Sequence, residues 1–235
     1  MRQIVLDTET TGLQPQEGHR IIEIGCIELI NRKFTGKRYH QYINPQREVD
    51  EGALAVHGIT NELLKDKPIF SHITQELINF VEGAELIIHN APFDVGFINH
   101  ELQLTQQKWK PITDYCRIFD TLILARQLHV GQRNSLDALC KRYGVDNSQR
   151  EMHGALLDAH LLAQVYLAMT GGQGSLFGET QVTEVSAIEK MNMKTVITKK
   201  RNLCVIKADV KEMEAHNKKL EAIKKTGKCL WMDAT

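Results

Sequence analysis

Apolar residues concentrate in three stretches near the start of the chain. Residues 2–7, 21–30 and 34–43 are rich in Ile, Val, Leu and Tyr, and polar turns separate them. Runs of this length and composition are typical of β-strands, and short connections favour antiparallel pairing. The pattern predicts an antiparallel meander of three strands.

Further along the chain, a strand pattern alternates with helical patterns. The predicted elements are a helix over 73–81, a strand over 85–89, and helices over 92–102, 121–128, 136–143 and 154–169. Asp120 and Ser135 immediately precede two of these helices, where residues of their type cap helix N-termini. A meander followed by strand–helix alternation predicts an α/β fold, with a mixed β-sheet flanked by helices.

The composition changes after the last of these helices. Gly171-Gly172-Gln173-Gly174 ends the helical pattern, and residues 178–186 are polar and weakly patterned. A charged helix over 209–225 has too few apolar residues for a core of its own. We therefore predict a domain over 1–171, a flexible linker over 172–186, and a C-terminal segment over 187–235 that orders on a partner.

The net charge of zero conceals an asymmetry between the two parts of the chain. Residues 1–178 hold 21 acidic and 17 basic residues, a net charge of −4, whereas residues 179–235 hold 8 acidic and 12 basic residues, a net charge of +4. The front part therefore lacks the basic excess with which proteins grip duplex DNA. It could still handle a single strand end, if metal ions neutralised the phosphates locally.

Other broad features argue against several protein classes. The five cysteines form no C-x-x-C pair, so neither a zinc site nor a disulfide framework is predicted. No apolar run approaches the roughly 18 residues that span a bilayer. Residues 3–6 read as a strand rather than a signal peptide. We expect a cytoplasmic protein with no membrane partner.

Asp7 and Glu9 lie at the end of the first predicted strand, in the run Asp7-Thr8-Glu9-Thr10-Thr11-Gly12. Residues two apart in a strand point to the same face, so the two carboxylates project together. Adjacent carboxylates repel unless a cation lies between them, and Mg²⁺ and Mn²⁺ prefer oxygen ligands. The pair could equally be two solvated acids at a strand end.

Asp94 lies in the first turn of the predicted helix over 92–102, which follows the predicted strand over 85–89. Phe93 and Phe97 are four residues apart and can pack one helix face on the core. An acid in this position also interacts favourably with the helix dipole. Asp94 alone therefore does not distinguish a metal ligand from a residue that stabilises the helix.

His153 and Asp158 flank the start of the last long helix. Gly154 disfavours helix immediately after His153, which places the histidine on a loop at the helix start. A histidine beside a metal-binding aspartate can act as a general base toward a water molecule. An isolated histidine in such a position is more often an ordinary surface residue.

Taken together, the three segments suit one reaction. Four carboxylates can hold two divalent metal ions, which clamp the attacking and leaving oxygens of an in-line phosphoryl displacement. His153 would take the proton of the attacking water.

The runs D-T-E-T-T-G, H-N-A-P-F-D-V-G-F and H-G-A-L-L-D resemble the three exonuclease motifs of the DEDDh superfamily. Within it, the chain is most similar to the family of proofreading, or epsilon, subunits of bacterial DNA polymerase III. Supporting stretches begin at Val56, Arg133 and Leu167, and the resemblance is dense over residues 1–177. It implies a ribonuclease H-like fold and a 3′→5′ DNA exonuclease that releases deoxynucleoside monophosphates.

The resemblance also implies roles for single residues. It makes His153 the catalytic base and two Mg²⁺ or Mn²⁺ ions the cofactors. The metal ligands would be Asp7, Glu9, Asp94 and Asp158, and the substrate-binding residues Asp7, Thr8, Glu9, Thr10, Leu13, Gly52, His57 and Asp158. Relatives often carry an acidic residue just before the segment that leads to His57. Here the run reads Asp50-Glu51-Gly52, which ends in a glycine.

The segment Gln173-Gly174-Ser175-Leu176-Phe177 resembles the peptide by which replication proteins bind the sliding clamp. Leu176 and Phe177 are adjacent apolar residues in a Gly-rich stretch, so they suit the pocket of a partner. We expect Gln173, Ser175, Leu176 and Phe177 to bind the clamp. The alternative is that the two apolar side chains fold back on the domain.

The remaining partners follow from the same resemblance. We expect the basic tail, with Trp231, to bind the catalytic (alpha) subunit of the polymerase. We also expect a small accessory subunit to join the assembly. The substrate would be a frayed or single-stranded DNA 3′ end. One alternative is a free-standing DEDDh ribonuclease that trims RNA 3′ ends. Another is an inactive adaptor between clamp and polymerase, which the intact acidic motifs argue against.

Other polar residues are assigned no catalytic role. Asp120 and Asp137 are interpreted as helix-capping or helix-surface acids. The histidines at 100, 129 and 160 lack partner spacing and are interpreted as surface residues. The basic runs at 199–201 and 218–219 are interpreted as solvated charges or polymerase contacts rather than DNA-binding residues.

Overall fold

A computed structural model describes residues 1–150, 152–171 and 209–226 of the chain. Contacts between residues divide the chain into two units, residues 1–178 and 179–235. Within the described residues, no helix is both long and apolar enough to cross a membrane.

The first unit is built on a five-stranded mixed sheet in the order β3-β2-β1-β4-β5. The strands are β1 (Arg2–Thr10), β2 (Ile21–Ile30), β3 (Lys33–Tyr42), β4 (Glu85–Ile88) and β5 (Arg117–Asp120). The first three strands pair antiparallel, whereas β4 runs parallel to both β1 and β5. The predicted mixed sheet and its meander are confirmed.

Seven α-helices among the described residues of the first unit surround this sheet. They are α1 (Glu51–His57), α2 (Asn61–Leu64), α3 (Phe70–Val81), α4 (Ala91–Leu104), α5 (Thr121–Leu128), α6 (Leu136–Tyr143) and α7 (Ala155–Thr170). Asp120 caps α5 through the backbone N–H groups of Leu122 and Ile123, and Ser135 caps α6 through that of Ala138. Both capping predictions are confirmed.

Alternation along the strands gives the sheet two buried faces. Ile4 and Leu6 pack with α3 and α4 in one core, whereas Val5 packs with α6 and α7 in a second core. A central strand that is buried on both faces accounts for the nearly continuous apolar run before Asp7.

Several elements are longer than predicted, or were not predicted. Strand β1 continues to Thr10 rather than ending at Asp7, and α3 begins at Phe70 rather than Ile73. Three short elements were not predicted: β5, α1 and α2, which contain four, seven and four residues. Elements this short carry too little periodicity to stand out in a sequence.

The described part of the second unit is a single helix, α8 (Val210–Thr226), in agreement with the predicted helix over 209–225. The predicted linker over 172–186 lies outside the described residues, and so do Gln173, Ser175, Leu176 and Phe177. The domain boundaries and the clamp-binding segment therefore remain predictions.

Candidate active site

Strand β1 presents Asp7 and Glu9 on the face that carries Val5, the face covered by α7. Because β1 pairs with β2 as far as Thr10, Glu9 is held within the sheet rather than beyond its end. Asp7 lies opposite Gly25 and Glu9 opposite Glu23 on β2. The sheet register thus fixes both carboxylates.

Helix α4 brings Asp94 to the same place. Asp120, at the end of β5, accepts hydrogen bonds from the backbone N–H groups of Asn90 (3.2 Å) and Ala91 (3.1 Å). It therefore holds the start of α4 as well as that of α5. The hydroxyl of Thr8 donates to Asp94 Oδ1 at 2.7 Å. Asp94 is buried, and Thr8 on β1 orients its carboxylate.

Helix α7 supplies Asp158, and two residues of β2 position that helix. Glu23 accepts a hydrogen bond from the backbone N–H of Ala155 at 3.0 Å. A Cβ atom added to Gly25 would lie 2.3 Å from the backbone of both Ala155 and Leu156. Only a glycine therefore lets the start of α7 approach β2 this closely.

His153 lies on the loop that leads into α7, as predicted, whereas Gly154, predicted as the first residue of that helix, is its N-cap. The backbone N–H of His153 donates to the Val56 carbonyl at 3.1 Å, which ties the loop to α1. Its side chain is 45% exposed, and its Nδ1 lies 3.5 Å from Asp158 Oδ2. The histidine therefore faces solvent while remaining beside the carboxylates.

These residues line one cavity of about 290 Å³, which we call the carboxylate cavity. Its walls include Asp7, Glu9, Asp94, His153 and Asp158. Potential ligand atoms of Glu9, His153 and Asp158 lie within 4.8 Å of one another. The structure thus brings together all five residues of the predicted centre.

The electrostatics of this cavity favour binding of a cation. Burial, and then the neighbouring carboxylates, raise the pKa of Asp7 well above its usual range. Burial and the charge of Asp158 raise the pKa of Glu9 to about 8. Burial also raises the pKa of Asp94 to about 7, although hydrogen bonds from Thr8 and from backbone N–H groups oppose that shift. Each shift reflects repulsion and desolvation that a bound cation relieves.

Arg150 also lines this cavity, although no role was predicted for it. Its guanidinium donates to Asp158 through Nε at 2.5 Å and Nη2 at 2.7 Å, and to Asp137 through Nη1 at 2.8 Å. No recognised motif includes Arg150, and its place three residues before His153 is the only signal that the sequence offered. Asp137, which was interpreted as a helix-capping or helix-surface acid, therefore forms an ion pair with Arg150.

A second cavity, of about 500 Å³, opens on the other side of Glu9, and we call it the side cavity. Apart from Asp7, Glu9 and Asp158, every predicted substrate-binding residue lines this side cavity. These residues are Thr8, Thr10, Leu13, Gly52 and His57. Thr8, Glu9 and Phe93 line both cavities. Phe93 was predicted only as a packing residue, and its role as a shared wall was missed.

His57 is the most distinctive group of the side cavity. Its Nδ1 accepts a hydrogen bond from the backbone N–H of Ile59 at 3.0 Å, so the proton of the neutral ring is on Nε2. Within the described residues, buried Nε2 has no hydrogen-bond partner of good geometry. Burial lowers the pKa of His57, although the backbone of Thr10 opposes this shift. The ring is therefore a buried donor that a ligand could satisfy.

Comparison with known proteins identifies the relatives of this chain. Residues 4–166 match the family described as Exonuclease. DNA polymerase III subunit epsilon of Salmonella typhimurium is 48% identical over 98% of this chain and 97% of its own length. The chain belongs to this exonuclease family, among the epsilon subunits. The epsilon subunit of Escherichia coli is 47% identical over 98% of this chain and 97% of its own length. That of Haemophilus influenzae is 50% identical over 98% of this chain and 94% of its own length.

Solved structures agree with this membership. Exonuclease X in complex with 5′ overhanging duplex DNA is 26% identical to this epsilon-family chain, with a TM-score of 0.57 over 73% of this chain and 93% of that one. The nuclease domain of 3′hExo, a DEDDh family member bound to rAMP, shares the fold at 19% identity, with a TM-score of 0.58 over 72% and 90%. This epsilon-family chain is therefore an enzyme, a 3′→5′ exonuclease. Exonucleases of the DEDDh type generally depend on divalent metal ions, and an acidic group that could hold one is present.

Proposed function

We propose that this exonuclease removes mismatched nucleotides from the 3′ end of DNA during replication, and that it works as a subunit of a replicative polymerase in the cytoplasm. The observation that carries the proposal is the pair of adjoining cavities. One is lined by the four predicted metal-ligand carboxylates and His153, and the other has room for a nucleotide. A strand end seated in the side cavity would place its last phosphodiester bond beside Glu9.

Asp7, Glu9, Asp94 and Asp158 would hold two divalent metal ions. Buried oxygen ligands suit Mg²⁺ or Mn²⁺. Burial raises the pKa of Glu9 and of Asp94, and a bound cation would counteract both shifts. The guanidinium of Arg150 already lies against Asp158, so the residues accommodate a cation there. When bound, the metal ions would activate the attacking water and stabilise the leaving 3′ oxygen.

His153 would act as the general base. Burial and the charge of Arg150 lower its pKa, so the imidazole is neutral at physiological pH and can accept a proton. Its partial exposure at the mouth of the carboxylate cavity lets it pass that proton to solvent. Asp158, within 3.5 Å, would stabilise the imidazolium that forms.

The side cavity would bind the terminal nucleoside. His57 would donate from Nε2, Leu13 and Phe93 would contact the base, and Thr8, Thr10 and Gly52 would complete the walls. Leu13 is 79% exposed, as expected for an apolar side chain that a ligand covers. Glu9, shared by both cavities, would couple nucleotide binding to the metal centre.

The C-terminal part would connect the enzyme to its partners. The relatives are named as subunits of DNA polymerase III, which supports a polymerase catalytic subunit as one partner. Helix α8 has Val210, Met213 and Leu220 at helical spacing, and Val210 and Met213 are exposed. We propose that this face and the tail beyond it bind the polymerase, that Gln173–Phe177 binds the sliding clamp, and that a small accessory subunit joins the assembly.

The central test uses a labelled DNA primer with a mismatched 3′ end on a template. We expect shortening from the 3′ end with Mg²⁺, no shortening with a chelator, and loss of activity in Glu9→Gln. Glu62→Gln, at an exposed position, is the matched control. Activity that survives chelation, or that Glu9→Gln leaves intact, would contradict the proposal. A marked preference for an RNA strand of the same sequence would favour the ribonuclease alternative.

The partner proposals need separate binding assays on the full-length chain. Replacing Leu176 and Phe177 together by alanine should abolish clamp binding, and unchanged affinity would remove the clamp proposal. Met213→Ser should weaken binding to the polymerase subunit, whereas Lys211→Ser, which also lies in the first turn of α8, should not. Equal effects of the two substitutions would contradict binding through the apolar face.

A further inference from the structure

Arg150 occupies the groups that metal binding and catalysis require. Both of its bonds to Asp158 are charge-assisted, at 2.5 and 2.7 Å, and together they engage both oxygens of a proposed metal ligand. Its Nη2 also lies 3.0 Å from Nδ1 of His153. Since a guanidinium can only donate, Nδ1 is the unprotonated nitrogen of that imidazole. The one lone pair through which His153 could accept a proton is therefore already engaged.

The surroundings of Arg150 explain why it lies there. Its side chain is only 6% exposed. The nearby carboxylates are Asp7, Glu9, Asp94, Asp137 and Asp158, and Arg150 is the only Arg or Lys among the described residues that line the carboxylate cavity. Its positive charge lowers the pKa of Asp7 and of Glu9, against the larger effects that raise them. Arg150 thus acts as the internal counterion of the carboxylate cluster.

Two cations cannot share Asp158 on these terms. A divalent ion held by that carboxylate would lie within a few ångströms of the guanidinium, where like charges repel strongly in a partly buried site. Asp137 offers Arg150 a second anchor that is not among the proposed metal ligands, with an Nη1–Oδ1 distance of 2.8 Å. Asp137 is in turn held by Asn147, whose side-chain amide donates to Oδ1 at 3.0 Å.

From this geometry we infer that Arg150 is an exchangeable counterion: it neutralises Asp158 in the metal-free enzyme, and leaves Asp158 and His153 when a divalent metal ion binds. Release would free both carboxylate oxygens and His153 Nδ1 in one step, so metal loading would itself make the general base available. Arg150 is then a positioning residue that couples metal occupancy to the competence of His153. The inference rests on the proposed metal site.

The first experiment measures affinity without catalysis. Mn²⁺ binding is followed by the electron paramagnetic resonance signal of the free ion, in the full-length protein without DNA. The Arg150→Gln variant should bind Mn²⁺ about tenfold to a hundredfold more tightly than the wild type, because it lacks the charged competitor for Asp158. Arg150→Lys, which keeps the charge but cannot pair with both oxygens, should give an intermediate increase. Arg142→Gln is the control, because Arg142 contacts Asn134 and the Arg133 carbonyl instead of the carboxylates.

The second experiment observes the wild-type site directly and uses a variant only to assign one resonance. The hydrogen-bonded Nε–H of Arg150 should give a resolved resonance in the ¹⁵N–¹H spectrum of the metal-free wild type, assigned by its loss in Arg150→Lys. Saturating Mg²⁺ should move it to the position of a solvated arginine. Persistence of the signal in saturating Mg²⁺ would show that Arg150 stays on Asp158, and would overturn the inference.

The two proposals fail in distinguishable ways. If the wild type binds Mn²⁺ but Arg150→Gln binds it no more tightly, the exchange is overturned and the metal site stands. If the wild type binds no Mn²⁺ at all, both the metal site and the exchange are overturned.

Discussion

The carboxylate cavity and the side cavity share Thr8, Glu9 and Phe93, yet their polar groups are held differently. In the carboxylate cavity, Asp94 and Asp158 have partners at 2.5–2.7 Å. In the side cavity, buried Nε2 of His57 has no partner of good geometry within the described part of the chain, and Leu13 is largely exposed.

This difference matches two kinds of work. Chemistry requires carboxylates fixed before substrate arrives, because small misplacements of reacting groups cost large factors in rate. Recognition of a nucleotide requires groups that are satisfied only once the ligand is present. We therefore expect substitutions in the carboxylate cavity to affect turnover, and substitutions in the side cavity to affect binding.

The largest effect should come from Asp7→Asn. Loss of a metal-binding carboxylate should lower kcat by about a thousandfold, roughly 4 kcal/mol. The metal-free variant should nevertheless have a higher Tm than the wild type, since burial and three neighbouring carboxylates disfavour ionised Asp7. Exonuclease assays and thermal melts in a chelator measure the two effects.

Asp114→Asn, at an exposed acid, is the control for Asp7→Asn and should change neither quantity. A variant of Asp7 that loses activity together with stability would indicate a structural role instead.

The next effect tests whether the carboxylate cavity depends on the packing of α7. Gly25→Ala would place a Cβ atom 2.3 Å from the backbone of Ala155 and Leu156. We expect a destabilisation of about 1–3 kcal/mol. Activity should fall about a hundredfold because Asp158 moves with α7. Urea unfolding and single-turnover rates provide the measurements.

Gly96→Ala is the matched control for Gly25→Ala. It lies inside α4, and a Cβ there meets nothing within 4 Å, so the helix should gain about 0.5–1 kcal/mol. If Gly25→Ala behaves like Gly96→Ala, the close approach of α7 to β2 does not position the site.

The sequence predicted the residues of the carboxylate cavity better than the tertiary contacts that position them. Asp7 and Glu9 follow from strand periodicity alone, and capping chemistry located α5 and α6 within the chain. The extension of β1 to Thr10 depends on pairing with β2, a contact between residues far apart in sequence. Local pattern could not show it.

Arg150 and Asp120 show the same limit on prediction. Arg150 lies outside helices and strands, and its contacts depend on the path of the chain between α6 and α7. Asp120 was predicted to cap α5, but its bonds to Asn90 and Ala91 join two elements that adjoin only because β4 and β5 are parallel neighbours. Residues that organise the site through tertiary contacts leave little trace in local sequence.

A smaller effect concerns pH. Folding raises the pKa of Glu9 from 4.5 to about 8 and that of Asp94 from 3.8 to about 7, with burial as the first cause. Between about pH 4 and pH 8 the folded state therefore holds protons that the unfolded state has released, and the free energy of unfolding of the metal-free chain should fall as pH rises.

Saturating Mg²⁺ should reduce or reverse this pH dependence, because metal ions bind the deprotonated carboxylates. Thermal melts across that range, in a chelator and in Mg²⁺, test the prediction. A Tm in the chelator that rises steadily with pH would mean that these carboxylates are not strained by their burial.

The smallest effect should come from His57→Ala, which tests the recognition side of the comparison. Loss of one buried donor to the nucleotide should raise KM about tenfold while changing kcat little, as expected when an interaction is equal in ground and transition states. The stability cost should be modest, because truncation removes one hydrogen bond, from the Ile59 N–H to Nδ1, while Nε2 has no partner of good geometry among the described residues. His72→Ala, at an exposed position on α3, is the control for the loss of an imidazole. A fall in kcat with unchanged KM would place His57 with the reacting groups instead, and the division of labour between the two cavities would not hold.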